Sequence, residues 1–117
     1  MADSKRYDDR KTGYKEMNYI ILTQDEAIIE GHQIFENYEE IQDGLGFSFI
    51  ESLERAYAEL VKGATYYRFI GNKKIYRRIL LDRFPCMVIY EIEAGNVFIL
   101  SIRYEREDPE KRKRFSD

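Results

Sequence analysis

A single cysteine, a single histidine, two prolines and no tryptophan remove several classes of protein before any pattern is sought. One cysteine cannot build a disulfide framework. Cys86 lies inside an apolar run, so a buried, inert thiol in a reducing cytosol is expected. No Cys/His spacing for a metal, no P-loop and no G-x-S-x-G turn occurs, and neither a metal nor a cofactor is expected. His32 stands mid-helix among acidic residues and reads as a surface side chain. No apolar stretch approaches the ~20 residues that cross a bilayer, and the N-terminus is charged rather than signal-like. The expectation is a cytoplasmic protein with no membrane partner and no small-molecule cofactor.

Aromatic rings and charge are plentiful instead. Ten Tyr, seven Phe and a 44% apolar share can fill a core, and 117 residues make one domain. Charge is laid out in blocks. Residues 1–15 hold five bases and three acids, residues 16–61 eleven acids and Arg55 alone as a base, and residues 62–117 thirteen bases and eight acids. A domain so lopsided favours a polyanion or an acidic partner on its basic side. The paired carboxylates of the middle block have the spacing of a solvated helix surface.

Periodicity divides the chain into a charged arm (1–15), a folded domain (16–110) and a charged tail (111–117). Met17 to Leu22 is short, apolar and β-branched, which predicts a strand. Thr23-Gln-Asp-Glu26 matches a capping box, and a helix follows to about Gln42 with Ala27, Gly31, Ile34, Phe35, Tyr38 and Ile41 on one stripe. Asp43-Gly44-Leu45-Gly46 breaks it, with Gly44 as left-handed C′ residue. A second helix, from about Phe47 to Lys62, carries Phe49, Ile50, Leu53, Ala56, Tyr57 and Leu60 inward, and Gly63 ends it in the same way. So short a join predicts an antiparallel helical hairpin. Residues 64–74 read as a connection with a turn at Gly71-Asn72. From Ile75 the period becomes two, which places Arg77 and Arg78 on opposite faces. Two β-prone runs, CMVIYEI and NVFILSIRY, flank a hairpin at Glu93-Ala94-Gly95. Both are apolar at both parities, which predicts central strands under helices. The tail from 105 onward is expected to turn away from the sheet. The order is β-α-α-β-β-β: an α+β fold with a helical hairpin on a small, mainly antiparallel sheet.

Residues 77–109, RRILLDRFPCMVIYEIEAGNVFILSIRYEREDP, resemble the C-terminal signature of the RelE/ParE toxin superfamily of type II toxin–antitoxin systems. Arg77, Arg78, Arg83, Phe84, Pro85, Tyr90, Asp108 and Pro109 fit it directly, and Leu45-Gly46-Phe47-Ser48-Phe49 is similar to the family's join between its helices. The resemblance covers about residues 17–110. It departs from the pattern at Tyr104, where many relatives have His, at Arg106-Glu107, often two Arg, and at Cys86, usually aromatic. Glu105, Glu107 and Glu110 dilute the basic charge of the RNA-cutting branch.

The resemblance implies a toxin neutralised by a cognate antitoxin that wraps over an apolar groove and basic residues. Tyr66, Tyr67, Phe69 and Tyr76 are candidates to line that groove. The spacing is nearer the ParE branch and the plasmid-stabilisation proteins beside it, which act by binding a target, DNA gyrase among them, without covalent chemistry. The RelE branch instead cleaves mRNA in the ribosome, and a third reading is a toxin fold that has lost toxicity. Metal-free cleavage needs a base for the 2′-OH, cations for the phosphate, an acid for the leaving oxygen and an aromatic face for the base. Arg83, Tyr104 and Arg106 are the candidates for that chemistry. Lys73, Lys74, Arg77, Arg78 and Arg103 are the candidates for binding nucleic acid or another target. The alternative for the basic set is a solvated sheet face with ion pairs to the acidic helices.

Overall fold

The computed structural model describes residues 18–106 and 113–115. The expected arm lies outside the described residues, as do Asp108 and Pro109 of the motif and most of the charged tail. Strand β1 (Ile20–Thr23) is pinned at both ends, because the Tyr19 amide donates to the Val61 carbonyl (2.8 Å) and the Gln24 amide to that of Ile99 (2.9 Å). Thr23 stays in the strand, paired with Ile99, and its hydroxyl is a hydrogen-bond partner of Tyr57 rather than of the helix start. The expected capping box is therefore not formed: helix α1 (Asp25–Ile41) starts after Gln24 with no side-chain cap. Asp25 and Glu26 sit in its first turn, where the helix dipole favours carboxylates. Ala27, Gly31 and Ile34 are buried and Phe35 and Tyr38 pack partly against the core, as the stripe predicts. Ile41 does not follow it and is 71% exposed in the final turn.

Helix α2 (Leu45–Gly63) begins two residues earlier than its periodicity indicates, with Gly44 at φ 90° as its N-cap rather than as the C′ residue of α1. A Cβ on Gly46 would lie 2.6 Å from the Phe35 carbonyl oxygen, so only glycine lets the two helices approach here. Glu39 of α1 accepts from the amides of Gly44 (3.2 Å) and Gly46 (2.9 Å), supplying partners to N–H groups that a helix start leaves unpaired. Phe49, Leu53, Ala56 and Leu60 face the sheet and are buried. Gly63 is not left-handed as expected (φ −145°); a Cβ there would meet the Tyr66 ring, which folds back in the 3₁₀ turn Ala64–Tyr66.

The sheet holds β2 (Phe69–Ile70), β3 (Tyr76–Leu80), β4 (Cys86–Glu93) and β5 (Asn96–Tyr104), in the order β1-β5-β4-β3-β2. Among the described strands, β1–β5 is the one parallel pair. The α+β architecture and its order are as expected, with β2 an added two-residue strand inside the expected connection, paired to Arg77 and Tyr76. Ala94 and Gly95 both have positive φ (53° and 82°), the signature of a two-residue type I′ hairpin. A bulge at Ile89/Tyr90 leaves Leu100 without a partner, since Ile89 pairs with Ser101 and Tyr90 with Ile99. Val97 and Ile99 before it, and Ile102 and Tyr104 after it, thus share the helix-covered face with Ile79, Cys86, Val88 and Tyr90. Ser101 and Arg103 fall on the outer face with Ile89 and Met87.

That outer face is not bare. Residues Lys113–Phe115 form a 3₁₀ turn, and Phe115 is only 5% exposed. The expectation that the tail turns away from the sheet is therefore wrong for these residues, because Phe115 finds an apolar seat against Tyr76. No described helix is long and apolar enough to cross a membrane.

Candidate functional site

The residues singled out from sequence lie on two faces and at two ends of the sheet. Lys73 and Lys74 are exposed in the loop before β3, Lys74 in the left-handed region at φ 56°. Arg77 points to the helix side, where it donates to the carbonyls of Tyr67 (2.7 Å) and Thr65 (3.1 Å) and stands 3.9 Å over the Phe69 ring. It ties β3 and β2 to the end of α2. Arg78, opposite Ile89, takes the outer face as alternation requires. Arg83 is exposed in the β3–β4 turn at φ 69°. Cys86 pairs with Tyr104, and the Glu105 amide donates to the Pro85 carbonyl (2.8 Å), so Arg83, Tyr104 and Arg106 share that end of the sheet. The lysines lie beyond the other end of β3, whose five residues alone span roughly 16 Å.

Within that end the side chains diverge. Tyr104 faces the helices: its ring meets Tyr38 edge-on at 6.3 Å and its hydroxyl accepts from Asn37 Nδ2 (3.1 Å). Arg103 faces outward and is 7% exposed. Its Nε donates to Ser101 Oγ (2.9 Å) and its Nη2 lies 3.8 Å from the Glu30 carboxylate. Glu30 also accepts from Ser101 Oγ (2.8 Å) and the Ile102 amide (3.0 Å). Asn37, Glu30 and Ser101 were not legible as site residues. The helical period puts Glu30 off the buried stripe, and no local motif links it to residues seventy positions away.

Tyr38, Phe49 and Phe84 stack as one aromatic group beneath the R-F-P turn, with Tyr38 meeting Phe84 edge-on at 5.0 Å. The Tyr38 hydroxyl lies 3.9 Å from Cys86 Sγ. Burial, and then the neighbouring Cys86, push the Tyr38 hydroxyl well above the usual tyrosine range. Burial pushes the Cys86 thiol up to about 11. The thiol thus stays protonated and shielded at neutral pH, and Ellman's reagent at pH 8 is expected to label it only after denaturation. Rapid labelling of the native chain would contradict its placement. The unfolded thiol ionises at lower pH, so Cys86 favours the folded state below about pH 9, and this contribution is lost as pH rises toward 11. On the far side of the turn, Ser52 and then Arg55 hold the Asp82 carboxyl below the usual carboxylate range, joining α2 to the start of the R-F-P turn.

An open groove of about 530 Å³ runs between α1 and α2, walled by Ala27, Ile28, Phe35, Ile50 and Tyr57 with Leu53 at its floor. The aromatics expected to line a groove are elsewhere: Tyr66 is 87% exposed, and Phe69 and Tyr76 belong to β2 and β3. His32 is at its mouth, exposed and 3.3 Å from Glu36. Among the described residues, no three His, Cys, Asp or Glu side chains are grouped to hold a metal ion.

No family model and no curated protein matches the sequence. Among solved structures, a chain of the chromosomal ParDE toxin–antitoxin system from P. aeruginosa matches with a TM-score of 0.64 at 15% identity, covering 74% of this chain and 95% of that one. The fold is RelE/ParE-like. The helical hairpin packs on one face of the sheet, the R-F-P turn joins β3 to β4, and the outer face carries Arg78 and Arg103.

Proposed function

We propose that this chain is the toxin of a type II toxin–antitoxin module, ParE-like, which stops growth by binding a cellular target and is neutralised by a cognate antitoxin. DNA gyrase is the first candidate for the target. The observation that carries this reading is the fold match, which spans 95% of a chain from a toxin–antitoxin system. The open apolar groove of the helical hairpin supports a protein partner, since contiguous exposed apolar surface marks an interaction site. The hairpin's many carboxylates beside Arg55 favour an antitoxin segment with basic flanks around apolar anchors.

The direction of Tyr104 supports binding rather than catalysis. Arg83 and Arg106 are exposed at the same end of the sheet, but Tyr104 faces the helices, with its ring against Tyr38 and its hydroxyl on Asn37. General acid–base work needs its groups within hydrogen-bond reach of one reacting centre. Target contact is assigned to Arg78 and Arg103 on the outer face, with Arg83 and Arg106 at one end and Lys73 and Lys74 at the other. Inducing the full chain in a bacterial host tests this. Growth arrest with altered DNA supercoiling and intact mRNA is expected, and where a small antitoxin-like reading frame adjoins the gene, its co-expression should relieve the arrest. Rapid mRNA cleavage at codon boundaries would replace the reading with the endoribonuclease one, in which Arg83→Ala and Tyr104→Phe abolish cleavage. Unimpaired growth at high expression would overturn the toxin assignment.

A further inference from the structure

One short piece of the chain lies on the outer face of the sheet. The Phe115 ring meets Tyr76 edge-on, with centroids 5.1 Å apart at 76°, and the Arg103 guanidinium lies 5.2 Å from its centre. Arg114 stands 4.7 Å over the same ring and forms an ion pair with Glu26 in the first turn of α1. Two consecutive residues therefore bridge the outer face to the helix layer. Phe115 is buried yet belongs to no part of the main core, so what it covers is Arg103 and its neighbours rather than the interior.

We propose that Arg114 and Phe115 form an autoinhibitory clasp that keeps Arg103 and the outer face shut until it is displaced. The proposal rests on the reading of that face as target-binding. The hold is weak by construction. A three-residue 3₁₀ turn has no cooperative length of its own, and an exposed ion pair adds little. Among the described residues, the grip is one ring between a tyrosine edge and a cation, and an incoming partner that offers an aromatic group and a negative charge satisfies the same two neighbours. Such weakly held elements are where local opening without global unfolding occurs.

Modification of the full chain with phenylglyoxal, an arginine-selective reagent, read by peptide mass spectrometry, tests the clasp directly. Phe115→Ala is expected to raise the rate at Arg103 about ten-fold, and Glu26→Gln roughly two- to three-fold, as local opening becomes easier. Exposed Arg83 and Arg106 serve as unchanged references, and Phe115→Tyr should behave as the natural chain. In the growth assay, Phe115→Ala should arrest cells at a lower inducer dose. Equal Arg103 modification in the natural and Phe115→Ala chains, both folded by circular dichroism, overturns the clasp. An opened Arg103 with an unchanged arrest dose also overturns it, because the contact then restrains nothing. If neither chain arrests growth, the toxin reading falls and Arg103 modification alone decides the clasp.

Discussion

Phe49→Ala is expected to destabilise the domain by about 3–5 kcal/mol, the range for removing a buried aromatic ring. Phe49 is fully buried, tilted against Tyr38 at 5.8 Å and edge-on to Phe84 at 5.9 Å. Its loss empties the space beneath the R-F-P turn, where α2, α1 and the start of β4 meet. A change of this size lowers the thermal midpoint by more than about 10 °C in a domain of roughly 100 residues. Phe49→Leu keeps part of the volume and should lose about half as much. Thermal and urea denaturation measure both. A loss under about 1 kcal/mol for the alanine variant would mean that the site collapses freely and that Phe49 is not the centre of this cluster. The effect should reach the surface as well. Arg83 holds φ 69°, a conformation that costs a non-glycine residue energy and persists only where its surroundings enforce it. With Phe84 loosened, the Arg83 backbone should relax out of the left-handed region.

Glu30→Ala should be the second most damaging change, at about 3 kcal/mol. Strand β1 ends at Thr23 while β5 continues to Tyr104, so the upper part of β5 has no neighbouring strand on that side. The Glu30 carboxylate stands in for one by accepting from the Ile102 amide. Removing it leaves that amide without its acceptor and takes a carboxylate from Arg103 and a hydrogen bond from Ser101. Glu30→Gln retains an acceptor and should cost about half as much. Hydrogen exchange at the Ile102 amide reports the defect directly. Unchanged protection in the alanine variant would show that another group supports this edge.

Much of the architecture was legible because it rests on local chemistry. The two helices follow from three- and four-residue spacing of Ala27 through Tyr38 and of Phe49 through Leu60, and the hairpin from Ala94-Gly95. Other features depend on where distant segments meet. Thr23 and Glu26 have the spelling of a capping box, but β-pairing claims Thr23 and the C-terminal turn claims Glu26. Tyr104 and Arg103 are adjacent in sequence, yet one joins the aromatic group and the other the outer face. The site was legible only as a set of residue types. Alternation separated Arg77 from Arg78 correctly, but no local pattern showed that Arg77 would hold two carbonyls or that Phe115 would return to cover Arg103. A chain with only 15% of these residues takes a similar path, so the path follows from the pattern of apolar and polar residues more than from particular side chains.

The unpaired Leu100 makes β5 a strand read in two frames. Upstream of it odd-numbered residues face the helices, and downstream even-numbered ones do. The extra residue therefore gives β5 one residue of slack. Deleting Leu100 would close the bulge and leave Ile102 and Tyr104 under the helices and Ser101 and Arg103 outside, because the Ile89–Ser101 and Tyr90–Ile99 pairs would then follow one another directly. A second one-residue deletion would find no slack left. It would turn Ile102 and Tyr104 out and bring the Arg103 guanidinium under the helices.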